Sequence, residues 1–314
     1  MPVSQIIPIF VNTHKTWTRT LADMKKVSIL ILLSLCVLSV QAQNRFRAAV
    51  IEPAAPTAQT GLVRHPWTGK KVLFIGDSIS DCVATHIVDR HYYDWLSDWL
   101  GITAYVPAIS GWQMKDVEAE VRMFQATAPD VQPDMICIFL GTNDYNSGIP
   151  IGEWYTEAVE EVEAAVGEPK RVYQRLHRTF VYDEGTFKGR INRAVLLLKK
   201  TFPGTPITFL TPVHRALFDA GDDNYQPEET WQNRIGLYLD AYIDAIKEVA
   251  NVWSVNVIDL HAVSGMYPIL DEDAALFFKN TDTDRLHPNE AGHRRLAEVL
   301  LYQSLVLPCR TIHP

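Results

Sequence analysis

Short apolar runs alternate with helix-patterned segments along most of the chain, and this alternation restricts the possible folds more than any other feature. Five runs are typical of buried strands: VLFIG (72–76), AYV (104–106), MICIFLG (135–141), ITFLTP (207–212) and VNVIDL (255–260). Apolar residues at helical spacing follow them, most clearly in residues 235–249 and 289–305. The pattern predicts an α/β fold of three layers (α/β/α), with helices on both faces of a central, mostly parallel five-stranded sheet.

Residues 71–314 are interpreted as one domain, because no linker, internal repeat or low-complexity tract interrupts them. Residues 43–70 carry three prolines and little periodicity, which is typical of an extended lead-in. The long charged and aromatic stretch 145–187 is expected to cap the site as loops with some helix. Four aromatic residues are candidates to stack on a sugar ring, although packing is the commoner role of such residues: Trp112, Tyr145, Trp154 and Tyr155.

The first 42 residues have the pattern of a targeting segment. Lys25 and Lys26 precede an apolar run over residues 27–40, and a small-residue cleavage pattern ends at Ala42. The run has about 14 residues, fewer than the roughly 20 that span a bilayer. Residues 1–42 are therefore expected to be an N-terminal extension and a cleaved signal peptide, with no stable membrane span in the mature chain.

The start of the chain and its location follow from the same segment. Met24 begins a well-formed signal peptide by itself, which makes it the expected true start. A cleaved signal predicts a secreted or periplasmic protein. Lipid anchoring through Cys36 is the competing interpretation, and it is disfavoured because Leu35 stands where a small residue is usual.

Charge and cysteine content narrow the class of protein further. The formal net charge of -8 excludes nucleic acid as a general partner, because phosphate binding needs a basic face. Signal cleavage would leave Cys82, Cys137 and Cys309, an odd number that allows at most one internal disulfide. Cys137 lies in an apolar run and is expected to be buried. No Cys/His spacing predicts a metal site.

The tripeptide Gly76-Asp77-Ser78 ends the first predicted strand and begins a predicted helix. A serine there would lie at the sheet edge beside free backbone N–H groups and the positive end of a helix, which suits an attacking alkoxide. A tight turn with an N-capping serine is the alternative interpretation of the same residues.

The tetrapeptide Gly141-Thr142-Asn143-Asp144 follows the strand MICIFL. The Asn143 amide is placed to donate to an oxyanion at the same sheet edge, and Gly141 lets the backbone turn tightly beneath it. An ordinary Asn-Asp turn explains these residues as well.

Asp284 and His287 stand just before the last predicted helix. A serine nucleophile needs a base, and an imidazole needs an acceptor for its other N–H to fix its tautomer and orientation. A carboxylate three residues earlier in the same turn provides that acceptor. A helix entry capped by an aspartate is the alternative.

These three blocks, in this order along the chain, resemble the SGNH/GDSL hydrolase family. The named blocks of that family are a Ser in GDS, a Gly, an Asn in GxND, and an Asp and His in DxxH. The resemblance spans about residues 71–305 and implies the flavodoxin-like fold of that family. It implies Ser78 as the nucleophile, Asp284 and His287 as its base pair, and ester hydrolysis through an acyl-enzyme without a metal or organic cofactor.

The resemblance also implies an oxyanion hole. Gly111, in the segment AISGWQM, matches the family glycine, although the surrounding residues depart from the longer Asn- and Gly-rich versions of this block. Its backbone N–H would join the N–H of Ser78 and the side chain of Asn143. Ile79 stands where many family members carry Leu, a change that leaves the serine undisturbed.

Other conspicuous side chains have weaker patterns. His214 and Arg215 follow the strand ITFLTP and, with Asp77, are candidates to contact substrate at the rim of the site. A structural role for His214 and Arg215 is an equal alternative, because Arg often ties loops to carboxylates. Four further histidines have no partner pattern and are expected to be surface, packing or incidental residues: His86, His91, His261 and His293.

The blocks and the leader together predict a secreted serine esterase. Family habit, the predicted compartment and the polar, aromatic loops favour short acyl esters, acetyl above all, so the expected partner is a small-molecule or glycan ester. A lipase or lysophospholipase is the related alternative, although no long apolar lid stands out in residues 145–187. A glycan-binding protein that keeps the fold without turnover is a third possibility, and the filled catalytic positions argue against it.

Overall fold

The strands lie where the apolar runs predict them, and several short strands accompany them. The computed structural model describes residues 49–51, 65–83, 88–221 and 224–308. The strands are β1 (Ala49–Ile51), β2 (Lys71–Gly76), β3 (Thr103–Val106), β4 (Met135–Phe139), β5 (Tyr155–Glu163), β6 (Val172–Phe180), β7 (Ile207–Leu210), β8 (Phe218–Asp219), β9 (Tyr225–Gln226), β10 (Asn256–Ile258), β11 (Phe278–Asn280) and β12 (Asp284–Pro288).

The helices also follow the predicted order. They are α1 (Tyr92–Leu100), α2 (Val117–Thr127), α3 (Thr142–Asn146), α4 (Phe187–Thr201), α5 (Leu239–Trp253), α6 (Leu260–Val263), α7 (Asp271–Phe277) and α8 (Glu290–Gln303). Short 3-10 helices precede α2 and follow α8. Each long helix carries a buried apolar stripe, which is what the helical spacing predicts.

The central sheet has six strands in the order β1-β3-β2-β4-β7-β10. The five strands from β3 to β10 are mutually parallel, so the predicted mostly parallel five-stranded sheet is confirmed. The lead-in contributes the sixth strand, because β1 pairs antiparallel with β3. An uncovered edge strand presents unpaired backbone N–H and C=O groups, and β1 satisfies those of β3.

Alternating side chains of the central strands supply both cores of the three-layer fold. In β2, Val72 and Phe74 pack on one face of the sheet, whereas Leu73 and Ile75 pack on the other. The first face is covered by α1 and α8, and the second by α2, α4 and α5. The carboxyl ends of the parallel strands therefore meet along one edge, where the loops that carry the sequence motifs lie side by side.

The expectation of loops with some helix for residues 145–187 is wrong. β5 and β6 form a two-stranded antiparallel ribbon with nine paired positions, from Tyr155 opposite Phe180 to Glu163 opposite Val172. Opposite charges such as Glu157 and Arg178 face each other across the strands, which stabilises the extended form. The base of the ribbon packs on α5, where the ring of Phe180 stacks on Trp253.

A second, antiparallel sheet has the order β11-β12-β8-β9. Its strand β12 contains the whole Asp-x-x-His block, and Asp284 pairs there with Phe218 of β8. This sheet therefore fixes the backbone of Asp284 and His287 before α8 begins.

Several predictions concern residues outside the described ranges, among them the signal peptide with its start at Met24, the alternative anchor Cys36, and His86 and Cys309. No described helix is long and apolar enough to cross a bilayer. Of the described cysteines, both are free thiols, and Cys137 is buried as predicted, whereas Cys82 is exposed.

Candidate active site

Ser78 lies in a tight turn just beyond the end of β2. The buried carboxyl of Asp77 accepts the N–H of Ile79 at 3.1 Å, and the N–H groups of Ser80 and Asp81 return to the Asp77 carbonyl at 2.9 Å. These bonds close one turn of chain, and the residues immediately after it are not helical. The predicted helix entry at Ser78 is therefore wrong, because the Asp77 side chain closes the turn locally.

The ring of His287 lies between Ser78 and Asp284. Its Nε2 is 2.9 Å from the Ser78 Oγ, and its Nδ1 is 2.9 and 3.0 Å from the two carboxyl oxygens of Asp284. Asp284 also accepts the backbone N–H of His287 at 3.0 Å, so the three-residue spacing holds the carboxylate against the ring. Phe218 packs edge-on against the same ring, with 5.0 Å between centroids.

The Asn143 side chain is held between the Ser78 turn and residue 112. Its Nδ2 donates to the carbonyl of Trp112 at 3.0 Å and to the carboxyl of Asp77 at 3.3 Å. Burial raises the pKa of Asp77 to about 7, against the opposing effect of the Ile79 N–H. Asp77, a candidate to contact substrate, is buried, and its carboxyl supports the Asn143 amide.

Gly111 lies on the surface with a φ of +83°, a conformation that glycine adopts without steric cost. Asp81 anchors its segment, since one carboxyl oxygen accepts both the N–H and the hydroxyl of Ser110, at 2.8 and 2.9 Å. Within the described part of the chain, no acceptor takes the N–H of Gly111 or of Ser78. Both N–H groups are therefore available to a developing oxyanion.

A buried ion pair joins the glycine block to the Asn block. Arg190 donates to Asp144 and to the Gln113 side chain, both at 2.8 Å, and Asp144 accepts the Met114 N–H at 2.9 Å. Gln113 continues the network by donating to Ser147 at 2.6 Å. Burial raises the pKa of Asp144 to about 6, although the Met114 N–H and Arg190 oppose it. Sequence reasoning missed Arg190, because nothing near it in the chain indicates a carboxylate partner.

Glu120 is a second residue that sequence reasoning missed. It is fully buried beneath the Ser78 turn, where one carboxyl oxygen accepts the Gly76 N–H at 2.9 Å. Its other oxygen has no hydrogen-bond partner among the described residues. Burial raises the pKa of this carboxyl well above its usual range. The sequence places it in a polar helix, and only the packing of α2 shows that it faces inward.

His214 and Arg215 differ in exposure. Arg215 is buried and donates to the hydroxyl of Thr142 at 3.0 Å and to the side chain of Gln226 at 2.6 Å. Burial lowers the pKa of Arg215 to about 10. The structure thus gives Arg215 the structural role that the sequence left open and does not place it at the rim. His214 is half-buried, and its Nδ1 lies 2.5 Å from Glu229.

The other described histidines without a partner pattern pack inside the protein. His91 and His293 pack against each other with 4.9 Å between ring centroids, and burial lowers the pKa of both imidazoles. The ring of His261 packs against that of His214, with 3.6 Å between centroids. The two residues are 47 positions apart in the chain, which is why no local pattern links them.

Three of the four aromatic candidates are packing residues. Tyr145 is buried, and its hydroxyl donates to the carbonyl of Trp231. Trp154 is also buried, and its indole N–H donates to Glu248. Tyr155 packs on Phe180. The fourth, Trp112, is half-buried and lies next to the exposed Gly111.

Comparison with known proteins agrees with this arrangement. A model of the GDSL-like lipase/acylhydrolase family matches residues 74–295, which includes every block described above. A search of curated protein sequences found no match.

Two solved structures have the same fold. A protein from Lactobacillus plantarum superposes with a TM-score of 0.53 at 24% identity, over 75% of this chain and 96% of that chain. A possible lipase from Chitinophaga pinensis superposes with a TM-score of 0.54 at 18% identity, over 76% of this chain and 100% of that chain. The family match covers most of the chain, and the three blocks meet at one edge of an α/β sheet. This protein therefore belongs to the GDSL-like lipase/acylhydrolase family and is a carboxylic ester hydrolase.

Proposed function

We propose that this chain is a secreted serine esterase that removes short acyl groups, acetyl above all, from a carbohydrate, with Ser78 as nucleophile. Ester hydrolysis itself follows from the family. The observation that carries the assignment of residues is the hydrogen-bonded series from the Ser78 Oγ through His287 to Asp284. A hydroxyl held this way is activated by the imidazole for attack on an acyl carbon.

The first step forms the bond between the Ser78 Oγ and the carbonyl carbon of the ester. His287 takes the hydroxyl proton on Nε2 while the carbonyl electron pair moves onto its oxygen. Asp284 accepts the Nδ1–H of the ring, which holds the productive tautomer and stabilises the imidazolium.

The oxyanion that forms is received by three donors. The N–H groups of Ser78 and Gly111 have no acceptor among the described residues, and Asn143 supplies its amide. The bond from Asn143 to Trp112 is the shorter of its two, so it holds the amide in place. The longer bond to Asp77 is the one that the oxyanion replaces.

Collapse of the tetrahedral intermediate releases the alcohol. The electron pair on the oxyanion re-forms the carbonyl, the bond to the alcohol oxygen breaks, and the imidazolium of His287 gives its proton to that oxygen. Water then attacks the acyl-enzyme with His287 again as base. Release of the carboxylic acid regenerates the Ser78 hydroxyl.

Aromatic side chains near the donors support a carbohydrate as the alcohol. Trp112 is half-buried and its carbonyl holds Asn143, while Trp231 is 64% exposed and its carbonyl accepts the Tyr145 hydroxyl at 2.7 Å. Indole rings present a flat apolar surface with a polar N–H, which suits a sugar ring. The polar pair of Asn143 and Asp77, which bond at 3.3 Å in and beside the Ser78 turn, supports a short acyl group.

Secretion rests on the N-terminal segment, which the described residues do not include. Expression of the full chain in a bacterial host, followed by mass determination of the exported protein, tests it. We expect export with loss of the residues up to Ala42. Retention of an uncleaved chain in the cytoplasm contradicts the proposal.

The acyl group and the alcohol are tested with a substrate panel. We expect kcat/KM on p-nitrophenyl esters to be highest for acetate and to fall as the acyl chain lengthens. The substitution Trp112→Ala should raise KM for acetylated oligosaccharides and leave that for p-nitrophenyl acetate unchanged. Tyr302→Ala is the matched control, because Tyr302 is an exposed aromatic residue near the end of α8 that is remote from Ser78. A preference for long acyl chains would instead support the lipase alternative.

A further inference from the structure

Two histidines and a glutamate meet at the carboxyl ends of β7 and β10. One ligand atom from each of His214, Glu229 and His261 lies within 4.8 Å of one from each of the others. The Nδ1 of His214 is 2.5 Å from Glu229, and the His214 and His261 rings are 3.6 Å apart between centroids. We propose that these three side chains bind a divalent transition-metal cation of the Zn²⁺ class.

The topology of the sheet brings the two imidazoles together. β7 and β10 are parallel neighbours, so the residues that follow them emerge at the same edge. His214 follows β7, and His261 follows β10 at the start of a short helix. Glu229 arrives from the loop after β9, which is the third direction needed to enclose an ion.

Backbone hydrogen bonds fix the three residues in place. The N–H of His261 donates to the hydroxyl of Thr211 at 2.9 Å, and the N–H of Arg215 donates to Glu229 at 2.9 Å. Thr211 also donates to Asp259 at 3.0 Å, which ties the end of β7 to the end of β10. The side chains therefore need only torsional adjustment to close on an ion.

The chemistry of the cluster favours a cation over a simple ring contact. The ring nitrogens and the carboxylate come from three separate segments of the chain and converge on one point. The Nδ1 of His261 is buried and has no hydrogen-bond partner among the described residues. Two imidazoles and one carboxylate form a donor set that zinc binds with three protein ligands and a water.

The dimensions and the access are also suitable. Bond lengths of about 2.0–2.2 Å in a tetrahedral zinc site put its ligand atoms roughly 3.4 Å apart. The longest separation, up to 4.8 Å, must therefore shorten by about 1.4 Å, and the 2.5 Å between the His214 Nδ1 and Glu229 must lengthen by about 0.9 Å. The side chains of His214 and Glu229 are 24% and 11% exposed, which leaves a path for a hydrated ion.

The site is separate from the proposed ester chemistry. β2, which ends beside Ser78, is two strand positions from β7, a distance of roughly 10 Å at the usual strand spacing. The ion would instead join the Glu229 loop to the ends of two core strands, and the inference does not rest on the proposed function. Its expected effect is therefore on stability.

Metal binding is tested with the untagged full chain after treatment with a chelator. We expect calorimetry to show saturable binding of one Zn²⁺ per chain, and Co²⁺ to give the visible absorption of a four-coordinate site. Zn²⁺ at about 100 times its Kd should raise Tm by roughly 5 °C, because a ligand that binds only the folded state stabilises it.

Variants locate the site. His261→Gln and Glu229→Gln should each weaken Zn²⁺ binding by at least about 10-fold, as expected when a ligand is lost. Glu229→Gln keeps an oxygen for the Arg215 N–H, so the fold is retained if His261→Gln proves unstable. His177→Ala is the matched control, because His177 also pairs with a glutamate, Glu160, but on the exposed ribbon. Absence of saturable binding in the unsubstituted chain, or equal binding in all variants, overturns the proposal.

Discussion

The Nε2 of His287 lies 2.9 Å from the Oγ of Ser78, although 209 positions separate the two residues in the chain. The turn after β2 holds Ser78 at the sheet edge, and the small antiparallel sheet holds His287 opposite it. The contact joins the turn after β2 to the small antiparallel sheet. A substitution in one of these two segments is therefore expected to leave the other folded.

Removal of either partner should abolish ester hydrolysis. For Ser78→Ala and for His287→Ala we expect kcat on p-nitrophenyl acetate to fall by at least about 10⁴-fold, because nucleophile and base act as a unit. Circular dichroism should show both variants folded. His177→Ala, on the exposed ribbon, should retain full activity, and comparable activity in Ser78→Ala would end the assignment.

Asp284→Asn should reduce kcat by about 10⁴-fold while the fold persists. The asparagine oxygen still accepts the His287 backbone N–H, but an amide facing Nδ1 favours the wrong ring tautomer. Steady-state kinetics on p-nitrophenyl acetate measure the effect. A loss smaller than about 10-fold, which corresponds to about 1.4 kcal/mol, would show that Asp284 does not orient the base.

Asn143→Ala should lower kcat by about 10²–10³-fold with little change in KM, because one donor to the oxyanion is lost. Asn146→Ala provides the matched control, since Asn146 is an exposed asparagine in the same short helix, α3. An equal loss in both variants would point to disruption of the helix and not to the oxyanion.

A mechanism with a histidine base predicts a loss of activity on the acidic side of the pH profile. Protonation of an imidazole base removes its free electron pair, so kcat/KM should fall at acidic pH. Asp77 is the rival titrating group, because burial raises its pKa to about 7. Asp77→Asn should lower activity through Asn143 yet keep the acidic fall. If the fall of kcat/KM at acidic pH disappears in that variant, the titrating group is Asp77.

The buried Glu120 should make folding stability depend on pH. Its pKa is raised in the folded state, so its contribution to stability is present below the ordinary glutamate pKa and is lost as pH rises through the raised value. Glu120→Gln keeps an oxygen for the Gly76 N–H and cannot ionise. We expect the free energy of unfolding, measured with urea, to fall less in this variant than in the parent as pH rises above the ordinary glutamate pKa. Equal slopes in variant and parent would contradict a raised pKa of Glu120.

Much of this protein could be predicted from local sequence. Apolar runs and helical spacing predicted the five parallel strands and their helices, because side-chain periodicity reports directly on burial. The Asp284–His287 contact was predictable because the two residues are only three positions apart, although the structure places them on β12 and not in the turn that the sequence analysis expected.

The tertiary structure decided what depends on contacts between distant segments. It set the strand order and converted the stretch around residues 155–180 into a ribbon, because strand pairing is selected by partners far along the chain. It also turned Glu120 inward and paired Arg190 with Asp144. The cluster of His214, Glu229 and His261 has the same origin, since its members share no local pattern and meet only where two neighbouring strands end.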